Sequence, residues 1–145
     1  MLPPFNERGD LPAGIYPVPL AEIRSRLGES ETRRPLMRML RRLYGLAART
    51  GHLERFLVFG SFVTSKEVPG DLDDVALLMA ETFRVEEAPR ESRALFSHAD
   101  ADALVGASVF WIRRGVLPER EIAAFLDFWQ TRRDGTKRGI VEITS

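Results

Sequence analysis

Phe56-Leu57-Val58-Phe59-Gly60-Ser61 and, after nine intervening residues, Asp71-Leu72-Asp73-Asp74-Val75-Ala76-Leu77-Leu78-Met79 bound the most informative part of the chain. Phe56 to Phe59 is a short apolar run that stops at a glycine, the pattern of a buried strand. Val75 to Met79 reads as a second buried strand. Residues 62–70 between them read as a loop or short helical turn closed by Pro69-Gly70. A glycine directly after a buried strand lets a ligand approach the backbone closely. If the chain then turns into a helical start, free N–H groups and the Ser61 hydroxyl can hold an anion such as a phosphate. Asp71 and Asp73 share one face if they open the second strand, because strand side chains alternate. Two such carboxylates repel each other unless a divalent cation neutralises them. The segment offers a phosphate cradle beside an oxygen-lined cation seat, the apparatus of metal-assisted phosphoryl or nucleotidyl transfer. Either half alone is commonly just a polar turn; the pair at this spacing is more specific.

Composition limits the alternatives. The chain has 145 residues, with 21 Lys+Arg balanced by 21 Asp+Glu, and is 44% hydrophobic and 29% charged. That is one globular domain's worth of sequence, not a disordered chain or a strongly basic nucleic-acid coat. The absence of cysteine excludes disulfides, thiolate zinc sites, iron–sulfur clusters and thiol nucleophiles. With two histidines, His52 and His98, a multi-His metal site is all but excluded, so a metal here is held by oxygen. No apolar run approaches a membrane span, and MLPPFNERGD lacks the pattern of a signal peptide. A cytoplasmic protein without a membrane partner is expected.

The flanking sequence predicts an α+β domain with a small mixed sheet. Residues 1–18 are proline-rich yet carry Leu2, Phe5, Leu11, Ile15 and Tyr16, the composition of an extended arm laid over the domain formed by residues 19–145. Pro19 to Leu27 predicts a short helix ending at Gly28. Ser30 to Thr50 predicts the longest one, capped by Ser30 or Thr32, with Leu36, Leu40, Leu43 and Ala47 as its apolar stripe. Arg34, Arg38, Arg41, Arg42 and Arg49 lie mostly off that stripe. They could meet phosphates or RNA, but the neutral total charge favours a solvated face. Glu91 to Leu104 has helical composition after an acidic surface loop at 81–90, and Ala107 to Ile112 reads as a third strand. Pro118 at the first helical position opens a last helix with Ile122, Phe125, Leu126 and Trp129 at helical spacing. Ile140 to Ile143 closes the chain as a strand. The aromatic residues Phe110, Trp111, Phe125, Phe128 and Trp129 are expected in the core, with a base-stacking platform as the minority alternative. Arg132, Arg133, Lys137 and Arg138 surround the turn at Asp134-Gly135 and could help bind an acidic ligand.

Gly60-Ser61, nine residues, then Asp71-Leu72-Asp73 resembles the signature of the polymerase-β-type nucleotidyltransferase superfamily. In addition, Leu2 to Pro12, Gly60 to Lys66, Phe128 to Gly135 and Lys137 to Val141 look like a family of small, largely uncharacterised bacterial nucleotidyltransferase-like proteins. The resemblance implies a minimal nucleotidyltransferase-like mixed sheet with helices against one face. It implies that Gly60, Ser61 and nearby N–H groups hold the phosphates of an NTP, and that Asp71 and Asp73 hold Mg²⁺ or Mn²⁺. The implied reaction is transfer of NMP to a hydroxyl on protein, RNA or a small molecule. Lys66 is added as a phosphate contact on its charge alone. The superfamily usually has a third carboxylate on a later strand, and Ser108 stands where that acid is expected. Asp74, Asp100, Asp102 and Glu142 are the substitutes in principle. The alternative is a catalytically degenerate partner protein of the same fold, such as one half of a bacterial toxin–antitoxin pair.

Overall fold

A computed structural model of the chain describes residues 1–69 and 74–144, with only the backbone of Val105. Nine helices and strands order it: β1 (Ile15–Val18), α1 (Leu20–Leu27), α2 (Arg34–Ala48), β2 (Leu53–Phe59), β3 (Asp74–Met79), α3 (His98–Val105), β4 (Ser108–Arg113), α4 (Glu119–Trp129) and β5 (Ile140–Ile143). Short 3-10 turns cover Ser61–Val63, Val85–Glu87 and Arg90–Phe96. The strands form one mixed sheet in the order β1-β5-β2-β3-β4. β3 runs antiparallel to β2 and parallel to β4, while β5 runs antiparallel to β2 and parallel to β1. The small mixed α+β domain read from the sequence is therefore present. Among the described residues no helix is long and apolar enough to cross a membrane.

Strand alternation builds two apolar layers. Phe56, Val58, Val75, Leu77, Val109, Val141 and Ile143 point into the larger one, with Ile23 and Leu27 of α1 and Met37, Leu40, Leu43, Leu46 and Ala47 of α2. Leu2, Leu11 and Val18 join that core from the first eighteen residues. Leu57, Phe59, Ala76 and Ile140 point the other way and meet Leu126 of α4, flanked by Ile15, Ile122 and Trp129. Helices thus cover both faces, which corrects the expectation of helices on one face only. The periodicity of α4 defines an apolar stripe but not the side of the sheet that receives it.

Three further expectations change. Ile15–Val18 is an edge strand, tolerant of Pro17 because an edge position leaves the missing donor unneeded. α2 begins at Arg34 with no side-chain cap; the Ser30 hydroxyl accepts the Arg33 N–H at 3.3 Å, and Thr32 donates instead to the Glu67 carbonyl at 2.6 Å. Phe110, Phe125 and Phe128 are 44%, 49% and 69% exposed, so three of the five aromatic residues expected in the core are at the surface. Trp129 stacks on Phe59 at 4.9 Å between ring centres, and the Trp111 indole donates to the Phe96 carbonyl. An apolar cavity of about 500 Å³ opens between β4 and α4, bordered by Phe110, Phe125 and Trp129.

Gly139 ties the two ends of the chain together. A Cβ there would lie 2.5 Å from the Pro12 carbonyl oxygen and 2.9 Å from the Leu11 Cβ, and its N–H donates to the Leu11 carbonyl at 2.8 Å. Only a residue without a side chain lets the segment before β5 approach the segment before β1 so closely.

Candidate functional site

β2 delivers the chain to Gly60 at one end of the sheet. Gly60 has φ 93° and ψ −165°, a conformation essentially restricted to glycine. The backbone then turns at once: the Val63 N–H donates to the Gly60 carbonyl at 3.3 Å and the Thr64 N–H to the Ser61 carbonyl at 3.1 Å. Phe62 and Val63 are buried and anchor this turn in the main core, while Ser61 is half-buried at the sheet end. The close backbone turn expected of Gly60-Ser61 is thus present. Lys66 has an exposed side chain, and its N–H donates to the Thr64 hydroxyl at 3.2 Å.

A residue that the sequence reading passed over holds this loop. Arg33 is 7% exposed, and its partners are four carbonyl oxygens. Nη1 donates to Leu27 at 3.1 Å and Phe62 at 2.7 Å, and Nη2 to Thr64 at 2.6 Å and Lys66 at 2.7 Å. The guanidinium also lies 5.4 Å from the Phe62 ring centre. Burial pushes its pKa down from the ordinary arginine value. Five fixed donors in one plane suit several carbonyls at once, which explains arginine over lysine here. One signal was available: Arg33 lies one turn before Met37 and two before Leu40, in line with the buried row of α2. A cavity of about 550 Å³ beside this loop is bordered by Phe5, Arg26, the Ser30–Arg33 link and Thr64–Val68.

Asp74 opens β3 directly opposite Phe59, and Ser108 of β4 is its register partner on the other side. The end of β2 and the starts of β3 and β4 therefore meet beside Gly60. Asp71 and Asp73, the expected metal and catalytic carboxylates, lie outside the described residues.

The candidates for a third acid separate clearly. Glu142 faces the α4 side of the sheet, opposite Leu57. It accepts from Arg55 Nε at 2.9 Å and Nη2 at 2.6 Å, a bidentate pair. The hydrogen bond to Glu142 holds the Arg55 pKa above its ordinary value despite partial burial. Asp100 and Asp102 are exposed on α3. Asp74 is the one substitute that the strand register places beside Phe59, the residue before Gly60. Among the described residues no group of three or more His, Cys, Asp or Glu side chains could hold a metal ion. His52 bonds the Thr50 carbonyl through Nδ1 just beyond α2, and His98 is exposed at the start of α3, 6.1 Å from the Phe110 ring centre.

The N-terminal segment lies on this loop, and the C-terminal segment lies on the N-terminal one. Asp10 bridges to Thr64, and the Ser65 N–H donates to the Gly9 carbonyl at 2.8 Å. Asp10, 1% exposed, accepts from Arg132 at 2.6 Å, and Arg8 pairs with Asp134 at 2.7 Å. Segments 2–12, 60–66 and 128–141, far apart in sequence, are thus neighbours in space.

No curated protein and no solved structure matches this chain. Residues 3–144 match the family of unknown function DUF6932, and the chain belongs to that family.

Proposed function

We propose that the protein is a Mg²⁺-dependent nucleotidyltransferase-like enzyme that moves NMP from an NTP to a hydroxyl acceptor on protein, RNA or a small molecule. The observation that carries this reading is Gly60, held in a glycine-only conformation where β2 turns sharply into Ser61–Val63, beside the antiparallel start of β3. A tight glycine turn at a strand end brings backbone N–H groups to where phosphates can approach. Gly60 and Ser61 would hold the β- and γ-phosphates, and Lys66 would add charge from the same loop. Asp71 and Asp73, hard oxygen donors two residues apart, suit Mg²⁺ or Mn²⁺, which would neutralise charge on the triphosphate. The acceptor oxygen would attack the α-phosphorus and pyrophosphate would leave. Arg33 would act as a positioning residue, since it fixes the carbonyls of Phe62, Thr64 and Lys66. The nucleotidyltransferase-like fold assignment, the division into an arm at 1–18 and a domain at 19–145, and a cytoplasmic location belong to this proposal.

A second reading has its own support. Ser108 occupies the β4 position beside Asp74, and Glu142 is committed to Arg55. A serine is neither an anionic metal ligand nor a base near neutral pH. This favours a nucleotide-binding or partner protein of the same fold with catalysis lost, of which a toxin–antitoxin component is one form.

Incubation with each α-labelled NTP and Mg²⁺, with host protein and RNA extracts as acceptors, separates the two. The enzyme predicts covalent label that depends on the metal and disappears with Asp73→Ala. Mg²⁺-dependent NTP binding without label in any extract supports the non-catalytic reading. The absence of both binding and label overturns the enzyme and favours the partner protein.

A further inference from the structure

The turn after α4 carries more arginine than its acids use. Thr131 and Lys137 pair across it, the Arg132 N–H donates to the Thr136 carbonyl at 2.8 Å, and the Arg138 N–H donates to the Gln130 carbonyl at 2.7 Å. This short ladder gathers Arg132, Arg133, Asp134 and Arg138 around a cavity of about 330 Å³. The acids nearby are already engaged. Asp10 accepts from Arg132 at 2.6 Å. Asp134 accepts from the Thr136 hydroxyl at 2.6 Å, the Thr136 N–H at 3.0 Å and Arg8 at 2.7 Å. These bonds, those of Thr136 foremost, hold its carboxyl well below the usual carboxylate range. Lys137, grouped with this cluster on sequence, turns away to Asp127 at 2.9 Å and Thr131 at 2.7 Å.

Arg133 and Arg138 remain, and no described carboxylate pairs with either. Arg138 Nε is buried without any hydrogen-bond partner. A buried donor on a charged group is costly to leave unmade, and native structures rarely leave one without a reason. The cavity is open to solvent and bordered by three arginines, so an anion can enter it. Two spare guanidiniums balance two negative charges. Their planar forks match the tetrahedral oxygens of phosphate better than a compact ion such as chloride.

We propose that this turn is a binding site for a phosphate-type dianion, free or as a phosphomonoester, held by Arg133 and Arg138. Neither Gly60 nor Ser61 borders this cavity, and the site stands whether or not nucleotidyl transfer is the protein's activity. Arg132 is a positioning residue, because its bond to Asp10 fixes the turn against the N-terminal segment that also bridges to Thr64.

Titration of the full chain with inorganic phosphate and with phenyl phosphate, at ionic strength held constant with chloride, tests this. The readouts are the Arg138 Nε–H resonance and the thermal midpoint. The expected result is a saturable shift of that resonance and a rise in midpoint, with affinity at least about tenfold weaker in Arg133→Gln. The tighter of the two probes identifies free phosphate or a phosphomonoester as the ligand class. Arg41→Gln, an exposed charge on α2, leaves the titration unchanged. Arg138→Gln should abolish the midpoint rise; if that variant does not fold, Arg133→Gln decides alone. A non-saturating response, an equal response to chloride, or full affinity in Arg133→Gln overturns the site.

Discussion

Val75, Leu77 and Met79 point from β3 into a core that α1, α2, α3 and the first residues of the chain all enclose. Ala76, on the opposite face of the same strand, shares a much smaller cluster with Leu57, Phe59, Leu126 and Ile140. The first face is almost wholly apolar at its centre. The second also carries the Arg55–Glu142 pair, an open apolar cavity and the exposed rings of Phe110 and Phe125. Two faces of one sheet thus differ in how completely their covering excludes water. The sealed face supplies most of the burial that stabilises the fold, while the open face keeps surface that eleven residues of α4 cannot cover.

Truncation of equivalent leucines should make that difference measurable. Leu40 is fully buried and Leu126 is 9% exposed. Leu40→Ala should cost about 2–5 kcal/mol of unfolding free energy, because a sealed core relaxes poorly around a cavity. Leu126→Ala should fall at or below the low end of that range, since the neighbouring groove lets side chains and water fill the space. Denaturant unfolding monitored by circular dichroism gives both values. Equal losses would mean that the two faces are packed alike.

The asymmetry was only partly legible in the sequence. The runs at 56–59, 75–79, 107–112 and 140–143 announced their strands because fully buried strands read as continuous apolar stretches. Which face each helix covers is a tertiary choice that a single helix's periodicity does not encode, hence the surprise of α4. β1 escaped because Pro17 argues against a strand except at an edge. Of the candidate site, the local turn at Gly60-Ser61 was legible, and the support beneath it was not. Arg33 resembles its exposed neighbours Arg34 and Arg38 in composition, and only the return of residues 62–66 above it makes it a core residue.

Arg33 tests the sealed face where it meets the candidate site. Arg33→Leu keeps bulk but leaves the carbonyls of Leu27, Phe62, Thr64 and Lys66 without this donor. The expected loss is about 2–4 kcal/mol, less than the sum of four charged bonds because some carbonyls gain water. Limited proteolysis should show cleavage within 64–69 before the rest of the fold is attacked. Arg33→Lys should recover only part of the loss, since an ammonium has three donors and no planar fork. A stability equal to wild type in Arg33→Leu would show that the loop holds itself.

The smallest effect belongs to the open face. Phe128 is 69% exposed on α4 and borders a shallow apolar depression with Phe125 and Ala124. A side chain that stays in water on folding contributes little to the difference between folded and unfolded states, whatever its hydrophobicity. Phe128→Ser should therefore change unfolding free energy by no more than about 0.5 kcal/mol, since serine and phenylalanine have similar helix propensities. Phe125, next to Trp129 at 5.9 Å between ring centres, should cost more when truncated, and Trp129, stacked on Phe59, more again. Unfolding curves for Phe128→Ser, Phe125→Ser and Trp129→Leu would trace that gradient from rim to sheet. A large loss at Phe128 would mean that this ring is covered in solution, and the second face would then be as fully closed as the first.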